Sequence, residues 1–348
     1  MDVSIIIPTW NGVELLRRFL PSVIEESRCF RENQNGAAEV IVVDDGSTDD
    51  TPAYLKSQPV RVVQRASNRG FSAASNSGLQ AARFPFVVLL NSDVQVAPGF
   101  VAALLEPFSD PQVFAVTARI FEPSTGLLAT AGKIGSFRRG FWSVYFNYDV
   151  QTRDNASHAT DLISAYAVGG FCAFRTEQAK QWGGFDEMFS PFHWEDIDFS
   201  YRAWKRGWNI VYQPRAVGWH QASSTIGKTF SASTVEIVAV RNRLLFHWKN
   251  IHDRIMLLQH LGMLLLLLCS RWAAGDMTFY QAFWAALKRL PQCRRSRVRE
   301  KHAARQSDRQ IKDLLHQFAT RTDIQVFISR QQVEQLHHER LRSPDYTQ

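Results

Sequence analysis

The chain has 348 residues, 45% hydrophobic and 21% charged, which suits one large α/β domain with an accessory region and excludes a disordered chain. Its four cysteines, Cys29, Cys172, Cys269 and Cys293, match no metal or redox spacing and read as reduced structural thiols of a cytosolic compartment. The formal net charge of +7 is concentrated: nine Lys and Arg between Lys288 and Arg309 meet only Glu300 and Asp308, and nine less two is the whole excess.

In chain order, MDVSIIIPTW has neither a basic leader nor a small-residue cleavage site and reads as a first strand over Val3–Ile7. A helix follows over Val13–Glu26, then a strand over Val40–Val43 that ends in the acidic turn Asp44–Asp50. Thr51 caps the next helix, with Pro52 at its first position. Val60–Val63 is a third strand, Phe71–Ala82 a helix, and Phe86–Leu90 a fourth strand running into Asn91-Ser92-Asp93. Pro98 opens another helix, and Val113–Ala118 is again a strand. Strands alternating with helices predict a mostly parallel sheet covered on both faces. From Phe121 to Ile163 the pattern weakens to loops and a hairpin. A strand over Ala165–Phe174 and a short helix from Thr176 follow, then a helix from Glu195-Asp196 to a stop at Gly207, and a last strand over Ile210–Gln213 with His220 in a turn-prone segment beyond.

The polar clusters Pro8-Thr9, Asp44-Asp45 and Asn91-Ser92-Asp93 all follow strands. In an open α/β sheet, ligands bind at the carboxyl ends of the strands, so these clusters are expected to converge on one edge. Asp93 is suited to a hard divalent cation bridging two phosphates. Asp44 and Asp45 can accept hydrogen bonds from base and ribose, or can serve only as an acidic turn. Arg69, in Asn68-Arg69-Gly70 ahead of a helix, suits phosphate or base. Asp196 sits at a helix start, where the dipole favours its ionised form, and Glu195 adjoins it. Trp182, Phe185, Phe189, Phe192, His193 and Trp194 surround the pair with rings that can stack on sugar faces and exclude water. His220 is a candidate further metal ligand.

Beyond Ser231 the composition turns helical and apolar. Ile255–Cys269 is nearly continuous apolar sequence, short of the roughly 20 residues a spanning helix needs. With Trp248, Trp272, Tyr280 and Trp284 beside it and basic residues near, it predicts helices lying in a membrane interface, the alternative being a helix buried on the catalytic part. The basic cluster suits anionic headgroups or nucleic acid, or is a solvated helix face. The last forty or so residues read as a polar helical tail without chemistry.

Taken together, Ser4–Thr9, Val42–Asp49, Asn68–Phe71, Asn91–Val94, Gly183–Glu187 and Trp194–Asp198 resemble, in order and spacing, glycosyltransferase family 2 of the GT-A fold over roughly residues 1–225. Arg241-Asn242-Arg243 is similar to a rhamnosyltransferase-like branch. The resemblance implies a Rossmann-like central sheet over residues 1–230, a membrane-associating helical region over 231–290 and a basic-to-polar tail over 291–348. It implies an inverting, metal-dependent transfer from a UDP- or dTDP-sugar to a lipid-linked or polysaccharide acceptor, peripheral to the inner face of the cytoplasmic membrane and without nucleic acid. Thr9, Asp45 and Arg69 would contact the nucleotide with Asp44 in support. Asp93 would hold Mn²⁺ or Mg²⁺ with His220 as second ligand, Asp196 would be the general base, and Glu195 would position acceptor or donor. Asn91 stands where the family's Asp-x-Asp has its first carboxylate, among the nucleotide-sugar contacts. A non-catalytic nucleotide-sugar or glycan-binding protein on the same fold is the alternative.

Overall fold

The computed structural model describes residues 1–34, 36–150, 161–221, 226–327 and 332–333. The first half alternates as its pattern predicts apart from an added short strand β5: β1 (Val3–Thr9), α1 (Val13–Gln34), β2 (Ala38–Asp44), α2 (Thr51–Leu55), β3 (Arg61–Gln64), α3 (Phe71–Ala81), β4 (Phe86–Leu90), β5 (Val94–Val96), α4 (Phe100–Leu105) and β6 (Val113–Phe121). β1 and β4 are buried along their whole length, because helices cover both faces of the sheet; that is why they read as unbroken apolar runs. α1 continues to Gln34, beyond the expected end at Glu26. The buried Glu26 carboxylate accepts from the backbone N–H groups of Gly99 and Val101 and so caps α4.

Next come β7 (Leu128–Thr130), β8 (Gly132–Arg138), β9 (Phe141–Val150), β10 (Phe171–Arg175), α5 (Thr176–Gln181), α6 (Glu195–Lys205) and β11 (Asn209–His220). The main sheet runs β3-β2-β1-β4-β10-β6-β11-β5, with β7 on β6. β1 to β4 are mutually parallel, and β10 inserts antiparallel between β4 and β6, so the sheet is mixed. The strand expected from Ala165 begins only at Phe171; residues before it form a connecting segment that reaches α6. β11 outruns its predicted end because a register shift between Gln213 and Val217, around Pro214, lets the strand resume. The resumed part pairs His220 with Val94 of β5, so His220 lies at a strand end and not in a turn.

The chain closes with α7 (Ile226–Thr229), α8 (Ala232–Asn250), α9 (Arg254–Ala273), α10 (Met277–Lys288), α11 (Leu290–Ala303), α12 (Asp308–Ala319) and β12 (Ile324–Phe327). The region expected to be loops and a hairpin contains the β8–β9 hairpin and completes a second sheet, β12-β9-β8; its residues 151–160 lie outside the described residues. The tail is packed: Ile311, Leu315 and Phe318 of α12 are buried, and Asp308 accepts from Tyr201 and Lys205 of α6. Two members of the basic cluster are tied inward, Arg289 to the Met188 carbonyl and Arg297 to those of Trp248 and Ile251.

α9 spans 20 residues, so the apolar run judged short from sequence sits in a helix long enough, by length and composition, to cross a membrane. Its inner stripe, Met256, His260 and Leu264 at i, i+4 and i+8, is buried, and His260 bonds to the Gly140 carbonyl. Its outer side exposes Ile255, Leu258, Leu261, Leu265, Leu266 and Trp272.

Candidate functional site

The expected convergence occurs. The Asp45 N–H donates to the Thr9 carbonyl at 2.9 Å, which joins the ends of β1 and β2. Asp45 is fully engaged: Oδ1 accepts from Arg65 Nε at 2.6 Å, and Oδ2 accepts from the N–H groups of Arg69 and Gly70 at 3.0 and 2.9 Å. It therefore shapes the 68–70 loop. Gly70 is required there, since its φ is +88° and a Cβ would lie 2.8 Å from the Pro191 carbonyl oxygen. The Arg69 side chain is exposed and pairs with Glu187. Asp44 takes the Ser47 N–H on Oδ1, whereas its Oδ2 and the Thr9 Oγ1 are buried without a partner among the described residues. Burying such an atom unpaired costs about 1–3 kcal/mol, so both are poised for a ligand.

The acidic side is bound to the same rim through two glycines. Gly169 N–H donates to Asp196 Oδ2 at 2.9 Å, and the Gly170 carbonyl accepts from the Asn91 N–H at 3.1 Å. Asp196 and the Asn91–Asp93 turn are thus two residues of backbone apart. Gly170 has φ +88°, and a Cβ would lie 2.3 Å from the Asn91 side chain. Glu195 is buried, with Oε2 unpartnered. Burial, then the neighbouring Asp196 charge, pushes its carboxyl well up. Burial also raises Asp196, against the Gly169 and Ile197 N–H groups that lower it. The expectation that the helix dipole keeps Asp196 ionised is corrected here: desolvation is the larger effect, and it makes the carboxylate more basic.

The loop leading into this pair is strained. His193 and Trp194 both hold positive φ, 70° and 74°, at about 1–3 kcal/mol each. Asn242 Nδ2 donates to the carbonyls of Phe189, Phe192 and His193, and Arg241 and Arg289 donate to that of Ser190. The ring residues around the pair are mostly core: Phe185, Phe189 and Trp194 are buried, and Trp182 packs at a tilt against Phe114. Asp186 and Asp198, from the two acidic motifs, anchor to Lys249 of α8 at 2.7 and 2.8 Å. The Lys249 ammonium holds Asp186 far below the usual carboxylate range despite its burial.

Asp93 and His220 meet at the remaining corner, Oδ1 to Nε2 at 3.2 Å, with the Phe171 ring against the imidazole. No cluster of three His, Cys, Asp or Glu that could hold a metal occurs among the described residues. One carboxylate and one imidazole are a donor pair that Mg²⁺ or Mn²⁺ would accept if further ligands came from a bound molecule and water. Asn91, packed on Gly170, adds no charge.

Two residues escaped the sequence reading. Asn242 is signalled only by its Arg-Asn-Arg setting, and Lys133, in the weakly patterned 121–163 region, carries no signal at all. Lys133 is 7% exposed, donates to Asn147 Oδ1 at 2.6 Å and senses the charge of Asp196.

A family model described as glycosyl transferase family 2 matches residues 4–181. Over 252 residues the chain is 28% identical to the pre-mycofactocin glycosyltransferase of Mycobacterium tuberculosis, covering 69% of this chain and 48% of that one. Over 211 residues it is 29% identical to the N-acetylglucosaminyl-diphospho-decaprenol L-rhamnosyltransferase of the same organism, covering 54% and 68%. The chain thus spans about half the length of the first of these relatives. A crystal structure of GalNAc-T7 with UDP, GalNAc and Mn²⁺ shares the fold at TM-score 0.56 and 19% identity, over 73% of this chain and 48% of that one.

Proposed function

The chain belongs to glycosyl transferase family 2 and has the GT-A fold, and from that premise we propose that it transfers a sugar, with inversion, from a UDP- or dTDP-sugar to a lipid-linked or polysaccharide acceptor in cell-surface glycan synthesis. The observation that carries the reading is one rim on which Thr9 Oγ1, Asp44 Oδ2 and Glu195 Oε2 are buried without partners among the described residues, beside the Asp93–His220 pair. Thr9 and Asp44 receive the nucleoside. Asp45 acts by shaping the 68–70 loop, whose Arg69 faces the phosphates, and Asn91 lines the sugar. A divalent ion on Asp93 and His220, when bound, offsets the diphosphate charge.

Asp196 takes the proton of the acceptor hydroxyl as its oxygen bonds to the anomeric carbon; the carbon–oxygen bond to the diphosphate breaks, and its electron pair leaves with the nucleotide. Glu195, whose carboxyl burial and the Asp196 charge push well up, positions acceptor or donor. The relatives' names support the substrate class: one prints a diphospho-decaprenol acceptor. Peripheral attachment to the cytoplasmic face of the membrane is supported by the exposed side of α9 and by His260, which ties the helix flat against the domain.

The test is a donor screen of the full chain with UDP-, dTDP- and GDP-sugars, with Mn²⁺, Mg²⁺ or chelator, read as thermal shift and donor hydrolysis. One nucleotide class should stabilise the protein only with metal, and Asp93→Ala should lose that effect. Asp196→Asn should keep donor binding while transfer falls by about 10²–10⁴. Equal loss of binding and turnover in Asp196→Asn would overturn its role as base.

A further inference from the structure

Lys133 lies on β8, in the second sheet, outside the nucleotide-facing strand ends. The segment 164–169 links it to Asp196: Lys133 N–H donates to Ser164 Oγ, its carbonyl accepts from Ala165 N–H, and four residues on Gly169 N–H donates to Asp196. The ammonium sits 5.7 Å from the Tyr166 ring centroid. Its one hydrogen bond among the described residues goes to the neutral Asn147 amide, and it forms no ion pair there.

A buried ammonium with one hydrogen bond and no counter-charge in contact among the described residues is costly. Elsewhere in this protein buried lysines are paired, Lys205 with Asp308 and Lys249 with Asp186 and Asp198. Burial accordingly pulls Lys133 down to about 8, with the Asp196 carboxylate pushing back. A residue of this kind makes sense where a ligand brings the missing charge. The donor diphosphate is already served by the Asp93–His220 corner, reached from Asp196 through Gly170 and Asn91; Lys133 lies at the opposite end of the 164–170 segment.

We propose that Lys133, with Asn147 and Tyr166, forms an anion subsite on the acceptor side of Asp196, which receives a phosphate or carboxylate carried by the acceptor. This rests on the transferase reading and narrows its acceptor to a negatively charged one. Asn147 orients the ammonium, and the Tyr166 face holds it by cation–π attraction.

The experiment compares the full-length wild type with Lys133→Met and Lys133→Arg on three acceptor series: octyl glycosides, octyl glycosyl phosphates and octyl glycuronides. Lys133→Met should raise the acceptor KM about tenfold or more for one charged series, leaving the neutral series and the donor KM within about twofold. The series that responds identifies the anion. Lys133→Arg should recover part of the loss, which guards against misfolding. Calorimetric binding of octyl phosphate and octyl glucuronate answers the same question without turnover: the wild type should bind one of them and Lys133→Met neither. A uniform KM change across all series, a shift in donor KM, or anion binding unaltered by Lys133→Met would overturn the subsite. Absence of donor hydrolysis in the wild type would instead count against the transferase reading, and octyl phosphate binding would still report on Lys133.

Discussion

Glu195 and Asp196 are adjacent carboxylates whose pKa values burial raises, and the Asp196 charge raises Glu195 further. A carboxyl whose folded value lies above its unfolded one favours the folded state below the unfolded value, and that contribution is lost as pH rises toward the folded one. Glu195→Gln, permanently neutral, is therefore expected to raise the melting temperature at pH 8 by a few degrees and to lose that advantage near pH 4, while turnover falls. Calorimetry across that range checks it, and an unchanged or lower melting temperature at pH 8 would mean that Glu195 is compensated by a partner. At this scale Thr9, Asp44, Asp45 and Asp93 were singled out because each follows an apolar run, and Glu195 and Asp196 because they open a helix beside an aromatic stretch. Lys133 was not: only the partners on β9 and the 164–169 segment distinguish it from a surface lysine.

The element that sets the geometry of the acids is the 188–194 loop, and α8 holds it. Asn242 collects three carbonyls of the loop into one amide, next to two residues kept at positive φ. Asn242→Ala should cost about 2–3 kcal/mol in denaturant stability, since it removes the amide's bonds and leaves carbonyls buried without donors. If the clamp matters for geometry, kcat should drop further than the donor KM rises; a stability loss with unchanged kcat would assign the clamp to folding alone. Most strands were readable from apolar runs, and their type and order held. β5 is three residues long, β8 mixes glycine and arginine into its alternation, β9 interleaves Ser143, Asn147 and Asp149 with rings, and β11 resumes past a proline. In each case pairing with a distant partner outweighs local pattern, and pairing is what a single sequence does not display.

For the whole molecule, the neutral catalytic part and the apolar, basic helices form different surfaces. Exposed leucines of α9 continue into Trp272, Met277 and Trp284, where a groove of about 400 Å³ ends at Lys288. Leu265→Glu with Trp284→Ser should lower affinity for phosphatidylglycerol-rich vesicles by roughly tenfold or more, with donor hydrolysis intact. Cosedimentation decides it, and undiminished binding would reassign the face. Composition foretold this partition, but not that the tail returns to the body, because the stripe Ile311, Leu315 and Phe318 does not reveal what it faces. β12 completes the second sheet by pairing with β9, Ile324 opposite Val150, with residues 151 to 323 between them. During synthesis, then, β1 to β4 can pair soon after they leave the ribosome, whereas the β8–β9 hairpin, which bears Lys133 and Asn147, must wait with one edge open until residues 324–327 have been made. A chain stalled before then would carry its first four strands paired and the edge of the hairpin still open to the chaperones of the cell.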